Sequence, residues 1–406
     1  MYLDHAATTP ISASALAALT HELSRSGNPS SLHGSGRRAR MVVEESREVL
    51  AAALDCHPSE VIFTSGGTEA DNLAVKGLYW ARRAEDPRRT RILCTGIEHH
   101  AVLDTVEWLQ KHEGADVVWL PVDGEGFVDR EALRRELAEH ADTIALFTLM
   151  WANNEVGTVQ DIRAAAALAA EYGVPMHSDA VQAFGAVPVS FRSSGLATMA
   201  VSGHKIGAPV GVGALVVGRA IKLTPVLHGG GQERDIRSGT LDAPGTAAFA
   251  AAAREAVDRL PGEGPRLRAL RDALIAGVKQ AVPEAVLRGP RDADGAGTRL
   301  PGNAHFTFPG CEGDSLLFLL DAAGIESSTG SACTAGVPRP SHVLLAMGLS
   351  ETEARGAQRF SLGHTSGPGD VDALVAALPE AHGRAKKAGL SGHASSIQTA
   401  GTGFTA

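Results

Sequence analysis

Between about residues 60 and 220 the chain alternates short apolar runs with amphipathic or Ala-rich stretches of helical period. EVIFTS leads to TEADNLAVKGLYWARR, RILCTG to HAVLDTVEWLQKH, TIALFTLM to DIRAAAALAAEYG, and VPMHSD follows. Strands joined through helices cross over and run parallel, so the pattern predicts an α/β fold with a large, mainly parallel sheet covered by helices. Ligands bind such sheets at the carboxyl ends of the strands. Polar residues stand at those ends here: Ser65-Gly66-Gly67-Thr68, Glu98-His99-His100, Asn153-Asn154-Glu155 and Ser178-Asp179. One pocket fed by several strand ends is expected.

At 406 residues the chain has room for more than one domain. After LHGGGQERDIRSGT the texture shifts to a long helical stretch and then to the Gly/Pro-rich span RGPRDADGAGTRLPGN, so a second domain is expected from residue 256. The last residues, rich in small side chains and poor in apolar bulk, predict a disordered tail over 387–406.

Lys plus Arg total 37 against 46 Asp plus Glu, a formal charge of −9. That balance argues against a general nucleic-acid or anionic-membrane binder. No apolar run approaches the roughly 20 residues that span a bilayer. MYLDHAATTP lacks the charged and apolar regions of a signal peptide, so a cytoplasmic protein is expected. Cys56, Cys94, Cys311 and Cys333 are far apart with no CxxC spacing, which signals neither a disulfide framework nor a zinc site.

Three stretches carry chemistry. In SGGTE, Gly67 and Thr68 open a helical pattern after an apolar run, where backbone amides can approach a phosphate; a plain turn with a Thr cap is the alternative. In VPMHSDAVQ, Asp179 closes a strand with Gln182 three residues on. Such an acid either caps the next turn or meets a buried cation, for which a protonated pyridine nitrogen would serve. In SGHKIG, Lys205 sits between glycines ahead of a strand. It is either a solvated loop charge or a desolvated amine able to form a Schiff base. Cys333 lies in SSTGSACTAG, a stretch too poor in large apolar groups to bury it by packing, which leaves chance, a disulfide, a metal or chemistry.

Taken together, YLDHAATTP, GNPSSLHGSGR, FTSGGTEADNLAVKG, EHHAVLD, NNEVGTVQDI, HSDAVQ, SGHKIG, GGGQERDIRSGT, SSTGSACTAG and RFSLGHTS resemble, in order, the cysteine desulfurases of the iron–sulfur assembly type, a branch of the class V aminotransferases. The resemblance covers about residues 1 to 380 and implies the aspartate aminotransferase-like fold of pyridoxal phosphate enzymes. Its large domain would span 11–255, and 1–10 with 256–386 would form a smaller α+β domain bearing the cysteine loop. It implies a pyridoxal 5'-phosphate-dependent homodimer that converts L-cysteine to L-alanine and leaves a persulfide on Cys333.

Carried over residue by residue, Lys205 would hold the cofactor and move the Cα proton, and Asp179 would keep the ring nitrogen protonated. His99 would stack on the ring, with His100 as the alternative one position on. Asn154 and Gln182 would approach the substrate and the phenolic oxygen. Gly67, Thr68, Ser202 and His204 would bind the phosphate, and Thr240 would reach the phosphate of the neighbouring subunit. Arg359 would hold the substrate carboxylate, with Asn28 and His5 lining the same cleft. The acceptor of the sulfur would be an iron–sulfur scaffold protein or a tRNA-thiolating enzyme. The loop departs from the family's SSGSACTS-like pattern at Thr329 and at Ala335-Gly336. A selenocysteine lyase, a plain class V aminotransferase, or a sulfur-relay scaffold without pyridoxal chemistry are the competing readings.

Overall fold

A computed structural model describes residues 1–292, 295–330 and 340–392. Its main sheet has seven strands: β1 (Val61–Thr64), β2 (Arg91–Thr95), β3 (Asp116–Leu120), β4 (Ile144–Thr148), β5 (Met176–Asp179), β6 (Thr198–Ser202) and β7 (Gly213–Val217). Their order across the sheet is β1-β7-β6-β5-β4-β2-β3. Only β7 runs antiparallel to its neighbours; β3, β2, β4, β5 and β6 pair in parallel. The five residues of β4, β6 and β7 are all buried, as a sheet with helices on both faces requires.

Helices α1 (Ala13–Leu23), α2 (Gly34–Leu54), α3 (Gly67–Glu85), α4 (His100–Glu113), α5 (Arg130–His140), α6 (Ile162–Glu171) and the short α7 (Phe191–Ser194) accompany this sheet. The expected strand-and-helix alternation is present, with β3 and α5 as an additional pair at one edge. Burial in β3 is mixed, with Asp116 and Trp119 exposed and Val117 and Leu120 buried, as suits a strand at the sheet edge.

A second sheet is antiparallel, in the order β10-β9-β8, from β8 (Val286–Arg288), β9 (Asn303–Thr307) and β10 (Ala357–Ser361). The N-terminal residues join it: Asp4 bridges Ser361 and Tyr2 bridges Glu326. Helices α9 (Gly313–Ala322), α10 (His342–Ala346), α11 (Glu351–Arg355) and α12 (Pro368–Gly392) complete this part.

The boundary expected at 255/256 falls inside one helix, α8 (Ala243–Ala281). Ala248, Phe249, Ala252 and Ala256 pack into the core of the large sheet, whereas Leu267, Leu270, Leu274 and Val278 pack into the core under the second sheet. Pro261 and Pro265 lie between the two halves. Each removes a backbone donor, so the change of texture near 256 marks a change of packing partner within a continuous helix. The tail expected from 387 also needs correction, because α12 continues to Gly392. Residues 393–406 lie outside the described residues. No helix among the described residues is long and apolar enough to cross a membrane.

Candidate active site

Five strand ends of the large sheet, the N-terminal segment and β10 enclose a cavity of about 410 Å³, within the usual range for small-molecule sites. Gly67, Thr68, His99, Asn154, Asp179, Gln182, Ser202, His204, Lys205 and Arg359, each expected at the site, all line it. So do His100, Glu155, Ser328, Gly330 and His342.

One end of the cavity is shaped for an anion. Helix α3 begins at Gly67, its N-cap is Gly66, and no side chain bonds the free amides of its first turn. A 19-residue helix therefore points uncapped N–H groups and the positive end of its dipole into the cavity. A Cβ built on Gly67 would approach Val181 Cγ2 to 2.7 Å, so glycine permits the close backbone approach. Ser202 and His204 flank this end. His204 Nδ1 lies 3.1 Å from Thr8 Oγ1, and burial holds its pKa down to about 4.

The cavity also presents an acid. Asp179 closes β5, is 5% exposed, and accepts a 2.8 Å hydrogen bond from the Val181 amide on Oδ1. It thus caps the following turn and faces the cavity at once. Burial raises its carboxyl above the ordinary range; His99, the Val181 amide and Lys205 act against that. A cation beside it would replace the missing solvent.

Lys205 ends a single 3₁₀ turn after β6, and its Nζ donates to the carbonyls of Ala6 (2.6 Å) and Ala7 (2.7 Å). Gln182 Nε2 donates to the same Ala6 carbonyl at 2.9 Å. Burial first, then the Arg359 charge, lower the Lys205 amine to about 8, while Asp179 and Asp4 oppose the shift. An amine with that pKa has a substantial neutral fraction and is a competent nucleophile near neutral pH.

His99 is the N-cap of α4, and its Nδ1 accepts from the Ala101 amide at 3.1 Å, which leaves the neutral ring's proton on Nε2. Burial lowers its pKa, with Asp179 opposing and Lys205 assisting. His100 instead sits on the rim, 3.0 Å from Asp104 and edge-on to His342. Of the two adjacent histidines, His99 is the one influenced by both Asp179 and Lys205.

Arg359 reaches the cavity from β10. Its Nη2 donates to Asp4 Oδ1 at 2.7 Å and its Nη1 to the Asn154 carbonyl at 2.8 Å, while Nε is buried without a partner among the described residues. The guanidinium is fixed in direction and still has donors for a carboxylate.

Two expectations, Asn28 and His5, are not met within the single chain, and that for Thr240 concerns a second copy. Asn28 is exposed and its Oδ1 accepts from the Ser30 amide, away from the cavity, because GNPSS forms a surface turn before α2. His5 lies in an adjoining cleft, hydrogen-bonded to Thr9 and Thr365, since the N-terminal strand turns its side chain toward α8. Thr240 is exposed and outside the lining. Cys333 lies outside the described residues, but the residues on both sides of its stretch, Gly330 and His342, line the cavity. Ser328 and Arg359 exchange backbone hydrogen bonds of 3.2 and 2.6 Å, which fixes where that stretch departs. Cys56 and Cys311 are buried, with thiols pushed up to about 12 and about 11, and Cys94 is fully buried. Among the described residues no group of His, Cys, Asp and Glu could hold a metal ion.

An anion cradle, a buried acid and a desolvated lysine lining one cavity match the phosphate, ring nitrogen and aldehyde of pyridoxal phosphate, so the residues present fit that group. Glu155 is among the polar strand ends expected at the pocket, whereas Asp4 has no role expected from the sequence and reaches Arg359 only through folding. Comparison with known proteins agrees with this chemistry. The model of the aminotransferase class-V family matches residues 1–374. An IscS-like cysteine desulfurase of Mycobacterium tuberculosis is 57% identical over 96% of this chain and 98% of its own length. The cysteine desulfurase IscS of Clostridium botulinum is 39% identical over 94% of each. The X-ray structure of a NifS-like protein from Rickettsia africae superposes with a TM-score of 0.84 at 31% identity, covering 94% of this chain and 99% of that one. The chain belongs to the class V aminotransferase family, on its cysteine desulfurase branch.

Proposed function

We propose that this chain is a pyridoxal phosphate-dependent enzyme that converts L-cysteine to L-alanine and takes the sulfur onto Cys333 as a persulfide. The observation that carries the reading is the meeting of Lys205, Asp179 and Arg359 in one cavity whose wall includes both flanks of the cysteine stretch. Gly330 is three residues from Cys333, a span of at most about 10 Å of extended chain.

The α3 amides at Gly67 and Thr68, with Ser202 and His204, would hold the phosphate, Asp179 the ring nitrogen, and Lys205 the aldehyde carbon. When bound, the group withdraws electrons from the substrate's Cα. Arg359 binds and orients the substrate carboxylate, kept in place by Asp4 and the Asn154 carbonyl. Lys205 Nζ, with its lowered pKa, holds the proton removed from Cα. The His99 ring, with its proton on Nε2, has a donor available on the cavity side. The Cys333 thiolate attacks the substrate Sγ; the Cβ–Sγ bond breaks as the S–S bond forms. The electron pair of the broken bond stays with carbon, and a proton completes the alanine methyl group. The balance is cysteine plus thiol giving alanine plus persulfide.

The enzyme would be a homodimer with shared sites, in which Thr240, exposed on the single chain, would reach the phosphate of the neighbouring subunit. Its acceptor would be an iron–sulfur scaffold protein or a tRNA-thiolating enzyme in the cytoplasm. The test is alanine and persulfide formation by the cofactor-loaded protein given L-cysteine. Lys205→Ala should abolish both, and Cys333→Ala should abolish the persulfide; sulfur release at full rate from Cys333→Ala would refute the nucleophile.

A further inference from the structure

Around Asp179 the fold buries more carboxyl groups than one cofactor cation can balance. Asp179, Asp71 and Glu98 are exposed by only 5%, 1% and 0%. The Asp179 charge raises the pKa of both Asp71 and Glu98, and Glu98 that of Asp71. Three carboxylates cannot all ionise in such a place.

Their partners differ. Asp179 accepts from a backbone amide, as a carboxylate does. Glu98 accepts from Thr95 Oγ1 (3.0 Å) and the Met150 amide (2.8 Å) on Oε1, while Oε2 is buried with no partner and has room for a proton. Asp71, on α3 and lining the cavity, lies 3.2 Å from His177 Nε2 through Oδ1. His177 Nδ1 in turn lies 2.9 Å from Thr198 Oγ1, its direct register partner across β5 and β6. His177 is two residues from Asp179 on one strand, so the two side chains share a face of the sheet.

Burial holds His177 neutral, with a pKa of about 3, and pushes Asp71 well above the carboxylate range. With Asp71 neutral, its O–H donates to His177 Nε2 and His177 Nδ1–H donates to Thr198 Oγ1; the reverse arrangement, Thr198 O–H to Nδ1 and Nε2–H to an Asp71 carboxylate, fits the same distances but adds a buried charge beside Asp179. We propose that Asp71 and His177 are positioning residues for the cofactor: burial beside Asp179 and Glu98 keeps Asp71 a neutral acid and the imidazole accepts its hydrogen bond, so that Asp179 alone turns negative charge toward the protonated ring nitrogen. This rests on the reading of the cavity as a pyridoxal phosphate site. The other titratable groups facing Asp179 are His99 and Lys205, and Glu98 faces both acids.

The experiment loads wild type, Asp71→Asn, His177→Phe, the double variant and Asp179→Asn with pyridoxal phosphate. It measures cofactor affinity and the pH titration of the visible absorbance of the lysine-bound group. His177→Phe removes the hydrogen bond that favours the neutral acid and so lowers the Asp71 pKa against the continuing burial, and the titration midpoint should rise by up to about one pH unit. The double variant, with a neutral amide at 71, should return to the wild-type midpoint, which a packing defect would not do. Asp71→Asn alone keeps shape and neutrality and should leave the midpoint in place even if His177→Phe fails to fold. Equal shifts in His177→Phe and the double variant would overturn the proposal, as would a midpoint lowered by about one unit in Asp71→Asn, which would mean a charged Asp71. Should wild type take up no cofactor, or Asp179→Asn hold it equally well, the cavity reading itself fails, separately from the role of Asp71.

Discussion

An ordinary lysine titrates near 10.5, and burial beside Arg359 brings Lys205 to about 8. The gap corresponds to about 3 kcal/mol against the charged amine. At pH 7 about one-tenth of the Lys205 amines are then neutral, against about one in 3,000 for an exposed lysine, a gain of about 300-fold in nucleophile. Mixing cofactor-free protein with pyridoxal phosphate between pH 6 and 11 and following the visible absorbance reports the capture rate. That rate should climb with pH and level off above about 8. Arg359→Gln removes the second contribution to the shift and should move the midpoint upward. The same group makes a stability statement. Its folded pKa lies below its unfolded one, so between about 8 and 10.5 the unfolded chain binds more protons and the cofactor-free protein gains stability as pH rises. Below about 8 the full penalty is present. A capture midpoint at 10 or above, or stability flat across that window, would refute the burial argument.

Asp179→Asn should weaken pyridoxal phosphate binding by about two to four orders of magnitude in equilibrium dialysis, because removing one partner of a buried ion pair costs about 3–5 kcal/mol. Glu98, raised to about 8 mainly by burial, binds a proton in the folded state that the unfolded chain releases above about pH 4.3. Its stabilising contribution is complete below that pH and lost as pH rises through about 8, so Glu98→Gln should flatten the fall in denaturant midpoint across this window. Glu233 takes both outer nitrogens of Arg47, at 2.6 and 2.8 Å, and the Phe63 amide at 2.7 Å. Glu233, Arg234 and Asp235 are all held at positive φ. Glu233→Gln should lower stability by about 3 kcal/mol in urea unfolding, and an unchanged midpoint would show that the pair does not anchor this turn.

The parallel sheet and the convergence of its strand ends were legible because buried parallel strands read as apolar runs and their polar ends follow at once. Lys205, Asp179 and His99 each sit at such an end, so local sequence locates them. Arg359 and Asp4 are 355 residues apart and meet only because the N-terminal segment bridges β10, which no local pattern records. The same holds for Asp71 and His177, on a helix and a strand separated by 106 residues. A lone His in an apolar strand does not reveal whether its ring is charged or which acid it faces. The boundary near 256 misled because α8 changes packing partner without breaking. Asn28 and Thr240 belong to surface turns whose position relative to the cavity depends on tertiary structure rather than on sequence spacing.

Borohydride reduction of the cofactor-loaded protein, followed by peptide mapping by mass spectrometry, tests the assignment of the cavity most directly. The phosphopyridoxyl group should be found on the peptide bearing Lys205 and nowhere else. A group fixed at another lysine, or none fixed at all, would contradict it.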